Sequence, residues 1–236
     1  MSRGLPGYGG VVFDFDGTLI DTMPFVIDGL ATAVSPYRPR PTPDEVMRSL
    51  GGPSDACVRR LLGGTRHLAA ALAAYLEFLG RHEHEARPFR GARTLLRRLR
   101  SASVPVGIWT GRERDSTLAR LLALSWERCF DVVVCGDDLT SHKPDPAGLL
   151  KIVRRWHLAP GEVLFVGDSD QDIEGGCAAG VPMLAIGRGG QTSPGSLGRP
   201  LAVVPDPPSA YAWVREKVLA GRSREPSLVP RGRQPK

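Results

Sequence analysis

Cysteine is scarce in this sequence, and what there is forms no pattern. Cys57, Cys129, Cys135 and Cys177 make no C-x-x-C pair, and no Cys/His group has the spacing of zinc ligands. A disulfide framework and a structural zinc site are therefore not expected. Cys135 and Cys177 stand in apolar contexts, where a small buried side chain is the usual role. Four free thiols suit a reducing compartment. Long apolar runs are also missing. The stretch 68–79 is the longest that looks apolar, and it is Ala-rich and too short to span a bilayer. No charged segment followed by an apolar one opens the chain, so secretion is not expected. A cytoplasmic protein without membrane association is the expectation. A basic face is lacking as well. The net charge is +6, but residues 221–236 alone contribute +4 of it through Arg222, Arg224, Arg231, Arg233 and Lys236 against Glu225. The body is close to neutral, and a nucleic-acid partner is not expected.

What is present is alternation. Gly10-Val11-Val12-Phe13 is a short apolar run with the character of a buried parallel strand. Similar runs follow at 104–109, 132–134, 163–166 and 182–186, separated by helical patterns over 93–101, 114–124, 146–157 and 170–179. Strands alternating with helices predict an α/β fold, a doubly wound parallel sheet. Asp145 ahead of Pro146 marks a helix start.

Residues 21–88 interrupt this rhythm and contain no convincing strand. Thr42-Pro43-Asp44-Glu45 has the pattern of a capping box, and Ser54 is placed to cap another helix. Leu68, Leu72, Leu76 and Leu79 fall on one helical face. A small all-helical cap domain inserted after the first strand is expected, its leucine stripe forming its core. The expected division is a catalytic core of 1–20 and 89–220, a cap of 21–88, and a basic disordered tail of 221–236. Within that tail, Leu228-Val229-Pro230-Arg231-Gly232 resembles a protease-cleavage linker. The glycines at 187–190 have no helix after them and are expected to form a loop.

The reactive residues lie where the strands end. Phe13-Asp14-Phe15-Asp16-Gly17-Thr18 follows the first strand, and ligands of doubly wound sheets sit at that edge. Carboxylates this close repel unless a cation or proton intervenes, and magnesium prefers such oxygen ligands. Gly167-Asp168-Ser169-Asp170-Gln171-Asp172 brings a second acidic cluster to the end of another strand. Lys143 follows the third run, and Thr110-Gly111-Arg112 the second, offering an ammonium, a hydroxyl and backbone N–H groups to phosphate oxygens.

In their order and placement these four loops resemble the haloacid dehalogenase (HAD) superfamily over nearly the whole chain. Asp14-x-Asp16-Gly17-Thr18 is similar to its first motif, Thr110 to its second, Lys143 to its third, and Gly167-Asp168-x-x-x-Asp172 to its fourth. The insert resembles the helical cap of the subgroup that holds phosphoglycolate phosphatases and β-phosphoglucomutases. The resemblance implies that Asp14 is the nucleophile and forms an aspartyl-phosphate. It implies that Asp16 protonates the leaving oxygen and then activates water. Mg2+ would be bound by Asp14, Asp168 and the backbone carbonyl of Asp16. Thr18, Thr110, Gly111 and Lys143 would bind the phosphate, and Asp172 would support Lys143 or a metal-bound water.

Within the superfamily, Asp16 argues against a dehalogenase, whose leaving halide needs no acid. A phosphonatase would need a cap lysine, and residues 21–90 contain none. A mutase carries a histidine soon after the first motif, and none occurs between Asp21 and Arg66. The expectation is a magnesium-dependent phosphatase acting on a small phosphorylated metabolite, phosphoglycolate or a sugar phosphate, as a monomer or homodimer. A sugar-phosphate mutase and an inactive phosphometabolite-binding protein stay open as alternatives. Arg48, Arg59 and Arg60 and the Gly51-Gly52-Pro53-Ser54 loop are candidate specificity elements in the cap.

Overall fold

The computed structural model describes residues 7–50, 53–187 and 198–220. Gly51 and Gly52 of the cap loop, most of the glycine-rich segment and the basic tail lie outside them.

Eight strands run in chain order: β1 (Gly10–Phe13), β2 (Ile20–Asp21), β3 (Arg87–Pro88), β4 (Val106–Trp109), β5 (Val132–Val134), β6 (Val163–Gly167), β7 (Met183–Ile186) and β8 (Ala202–Val204). Six form one sheet in the order β5-β4-β1-β6-β7-β8, every pairing parallel. Its strands β1, β4, β6 and β7 are buried at every residue, as expected of a parallel sheet covered on both faces. The alternation of strand side chains divides the core in two. Val11 and Phe13 join one cluster with Leu95, Leu96, Leu99 and Tyr211, whereas Val12 joins another with Leu149, Ile152 and Val153. The helices that supply these residues are α5 (Ala92–Ser101) and α9 (Pro207–Val214) on one face and α7 (Ala147–Arg155) on the other. Two more, α6 (Arg114–Ala123) and α8 (Asp170–Ala178), complete the winding.

The remaining helices lie between β2 and β3: α1 (Met23–Val34), α2 (Pro43–Ser49), α3 (Ser54–Leu62) and α4 (Leu68–His82). They share a separate apolar cluster around Leu30, Val34, Val46, Val58 and Leu61. No helix of the described residues is long and apolar enough to cross a membrane.

Several expectations need correction. The stretch 21–88 does hold extended chain, because Ile20–Asp21 pairs antiparallel with Arg87–Pro88. These two-residue strands tie together the segments that leave and re-enter the core. β8 and α9 were not anticipated. The Thr42–Glu45 capping box is present. Ser54, by contrast, is the first residue of its helix and caps nothing with its side chain. Of the leucine stripe, Leu68, Leu72 and Leu79 pack on the cap core, but Leu76 is exposed and Tyr75 takes the buried position. None of the four cysteines is in a disulfide; Cys135 is buried and Cys177 only partly. Burial pushes the Cys135 thiol up to about 11.

Candidate active site

The sheet order makes β1 and β6 neighbours at its centre, where the winding reverses direction and a crevice opens at the strands' carboxyl ends. Asp14 stands on that edge. Its N–H extends the ladder by donating to Val166 O (2.8 Å). The chain then turns sharply through Gly17, whose φ of 82° lies in the left-handed region that glycine adopts without strain. Gly17 N–H donates to Ile20 O, and Leu19 and Ile20 both donate to Phe15 O. Phe15, Leu19 and Ile20 anchor this turn in the core, fully buried. Thr18 is buried with them: its hydroxyl donates to Asp168 Oδ1 (3.2 Å), and its carbonyl accepts from Tyr211 OH.

Lys143 arrives from the loop after β5. Its Nζ lies 2.7 Å from Asp14 Oδ1 and 2.6 Å from Asp172 Oδ1, and the side chain is nearly buried. The ammonium sits 4.8 Å from the ring centre of Trp109 and 5.5 Å from that of Phe165, an aromatic floor that favours a cation. Burial opposes the charge, but Asp14 and Asp172 outweigh it and raise the Lys143 pKa.

Asp172 is fully buried in the first turn of α8. Its second oxygen accepts from Asp168 N (3.2 Å), Ser169 N (3.1 Å) and Ser169 Oγ (2.7 Å). Ser169, rather than Asp170, caps α8. Carboxylate oxygens of Asp14, Asp168 and Asp172 lie within 4.8 Å of one another. Three carboxylates thus face one ammonium. Burial pushes the Asp14 carboxyl well above its usual range; Lys143 opposes this in part, and Asp172 and Asp168 add to it. Such a cluster fits a hard divalent cation, which takes carboxylate oxygens and would relieve the excess negative charge. The oxygens of Asp172 are already used by Lys143 and by the loop above it, so Asp14 and Asp168 are the better donors.

The Asp16 carboxylate lies outside that cluster. Arg112 Nη1 donates to its Oδ1 (3.1 Å), and the Arg112 side chain is almost buried. A metal role for Asp16 could run only through its backbone carbonyl. Thr110 extends the ladder to β5 by donating to Val134 O, and its hydroxyl accepts from Arg112 N (3.2 Å). The Gly111 carbonyl lies against Gly136, where a Cβ would come within 2.2 Å of it. In the sequence the Thr-Gly-Arg triplet offers a hydroxyl and backbone N–H groups, and nothing there assigns the arginine side chain a partner. That side chain is held against the second aspartate, a pairing the sequence does not reveal.

The crevice has a volume of about 340 Å³ and is lined by Asp14, Asp16, Thr110, Arg112, Lys143 and Asp168 from the core. The cap closes it from above, and two hydrogen bonds between cap and core lie beside the crevice. Ser54 N–H donates to Glu113 Oε1 (3.2 Å), and Gln171 Nε2 donates to Leu50 O (3.0 Å). Of the cap arginines, Arg48 lines the crevice; Arg59 pairs with Asp55, and Arg60 donates to Ser49 O.

The comparisons with known proteins agree with this architecture. A phosphoglycolate phosphatase from Yersinia pestis is 32% identical over 189 residues, covering 75% of this chain and 80% of the relative. One from Xanthomonas campestris pv. campestris is 34% identical over 182 residues, covering 74% and 81%. Among solved structures, a predicted phosphoglycolate phosphatase from Haemophilus somnus superposes with a TM-score of 0.76, covering 89% of this chain and 100% of that one at 19% identity. The model of the haloacid dehalogenase-like hydrolase family matches residues 11–186, from the first strand to the last buried one. With its parallel sheet, helical insert and carboxylates gathered at the strand ends, the chain belongs to the haloacid dehalogenase-like hydrolases.

Proposed function

We propose that this hydrolase is a magnesium-dependent phosphatase that moves the phosphoryl group of a small phosphate monoester first to Asp14 and then to water. One observation carries the reading: a buried aspartate at the switch point has one oxygen fixed by Lys143 at 2.7 Å beside two further carboxylates. An oxygen of Asp14 attacks phosphorus, and the ester P–O bond breaks as Asp16 gives its proton to the departing alcohol. Asp16, now a carboxylate, takes a proton from water. That water attacks the aspartyl-phosphate, the P–O bond to Asp14 breaks, and inorganic phosphate leaves. Arg112 fixes Asp16 through one oxygen, which supports a proton shuttle held at a defined place. Lys143, Thr110 and the Gly111 N–H orient the phosphoryl oxygens, with Asp172 supporting Lys143; Thr18, expected among them, is fully buried with its hydroxyl on Asp168 and positions that carboxylate instead. Asp14, Asp168 and the Asp16 carbonyl would hold magnesium, which would supply neutralising charge around the phosphoryl group.

Residues 21–88 serve as the cap of a core made of 1–20 and 89–220, and the crevice between them admits the substrate. The relatives named phosphoglycolate phosphatase support hydrolysis, as does the lack of a histidine between Asp21 and Arg66 against a mutase. Four cysteines outside any disulfide suit a cytoplasmic enzyme acting on a soluble metabolite, as a monomer or homodimer. The test is phosphate release from a panel of monoesters, phosphoglycolate included, with magnesium and with chelator. Release should require the metal and fall by at least about a thousandfold in Asp14→Asn, the scale of a lost nucleophile. Undiminished release by that variant would contradict the assignment.

A further inference from the structure

The cap turns an apolar wall into the crevice. Met23, Val26 and Leu30 project from one face of α1, Met47 and Leu50 from the end of α2, and Leu79 from α4. Leu30, Val26, Leu50 and Leu79 also pack in the cap core, but Met23 and Met47 belong to none of the apolar clusters of the described residues. Met23 is buried and Met47 half-buried, and methionine side chains outside a packed cluster remain adaptable contacts for an apolar ligand.

The charges of the crevice point the same way. Its lining holds the acids Asp14, Asp16, Glu113, Asp168 and Asp170, against the bases Arg48, Arg112 and Lys143. Lys143 is taken up by Asp14 and Asp172, and Arg112 by Asp16. Arg48 lines the crevice but is exposed to solvent. A divalent cation and a phosphate dianion would leave this balance unchanged, so among the described residues the carboxylate of a substrate such as phosphoglycolate meets more acids than bases. A volume of about 340 Å³ is also generous for a two-carbon acid.

Resting on the phosphatase reading above, we propose that the alcohol part of the substrate is bulky and apolar, an alkyl or aryl group seated against Met23, Val26, Leu30, Met47, Leu50 and Leu79. Esters with a carboxylate next to the phosphate are poor substrates.

Straight-chain alkyl phosphates from ethyl to hexyl test this, because their leaving alkoxides are of nearly equal basicity and only the buried length changes. The kcat/KM should rise by about twofold to fourfold per added methylene, the upper figure corresponding to complete burial. Hexyl phosphate should exceed phosphoglycolate by about tenfold or more. Met47→Asn, at a half-buried position, should lower the hexyl-to-ethyl ratio by about threefold or more; Leu79→Asn serves equally if the first variant does not fold. A flat series, or phosphoglycolate leading it, with release still dependent on Asp14, overturns this inference alone. No release from any ester in magnesium overturns the phosphatase reading, and this inference with it.

Discussion

Asp172→Asn is the substitution that probes the site most sharply, because it keeps the volume and changes one charge. The carboxylate accepts from Lys143 on one oxygen and from three donors on the other, with no exposure to solvent. An amide has one acceptor oxygen and one NH2 group. Whichever way it turns, an N–H faces either the ammonium or the Asp168–Ser169 donors. At least one charge-assisted bond is lost, costing about 1.5–3 kcal/mol. Lys143 is also left with one of its two buried carboxylates, and breaking a buried pair costs about 3–5 kcal/mol. Opposing this, repulsion among Asp14, Asp168 and Asp172 is relieved. A net loss of about 3 kcal/mol follows, which for a chain of this size lowers Tm by about 6–12 °C. Melting followed by circular dichroism, with magnesium and with chelator, checks it: the deficit should be smaller in chelator, where the relieved repulsion counts most. Phosphate release should fall by about tenfold or more as Lys143 loses its position. A Tm within about 2 °C of the parent, together with unchanged release, would refute the role given to Asp172.

Gly136→Ala should push the Gly111 carbonyl and the neighbouring Thr110 out of register, since the added Cβ meets backbone at 2.2 Å. A fall in phosphate release larger than the fall in stability is the expected result, read by paired activity and melting measurements. Asp138 is bound by Arg114 and by the Cys135 N–H. Burial works against its charge, but these partners outweigh it and hold its carboxyl below the usual range. Its contribution is therefore complete above about pH 4 and is lost as the pH falls further. Asp138→Asn should cost about 1–2 kcal/mol near neutrality, and its urea midpoint should converge with the parent's in acid. Thr42→Ala removes one half of a capping box and should cost about 1 kcal/mol, seen as a shift in the same midpoint.

Much of this fold is legible because the central strands are buried on both faces and so appear as unbroken apolar runs. The elements missed are those with little to bury. Val203 in β8 is exposed, and the strand is three residues long at the sheet's edge. Pro207 and Pro208 read as breakers, yet they open α9, where a first turn needs no N–H; Asp206 in front of them accepts from Ser209 N. The Ile20–Asp21 and Arg87–Pro88 pairing is too short to leave a period. Spacing alone also could not tell Tyr75 from Leu76, adjacent on α4 and separated only by which way the cap packs. In the candidate site, the residue types were readable loop by loop. Their partners were not: nothing in a linear pattern joins Arg112 to Asp16 or Asp172 to Lys143, 96 and 29 residues apart.

Glu113 follows directly on the arginine that grips Asp16, and Gln171 sits between the two aspartates of the α8 loop. These two hydrogen bonds from the cap therefore hang from the same two segments that hold the proton shuttle and the lysine's partner. Shutting the door and setting the chemical groups in line are then a single event, and a substrate that props the cap open would be bound without being turned over.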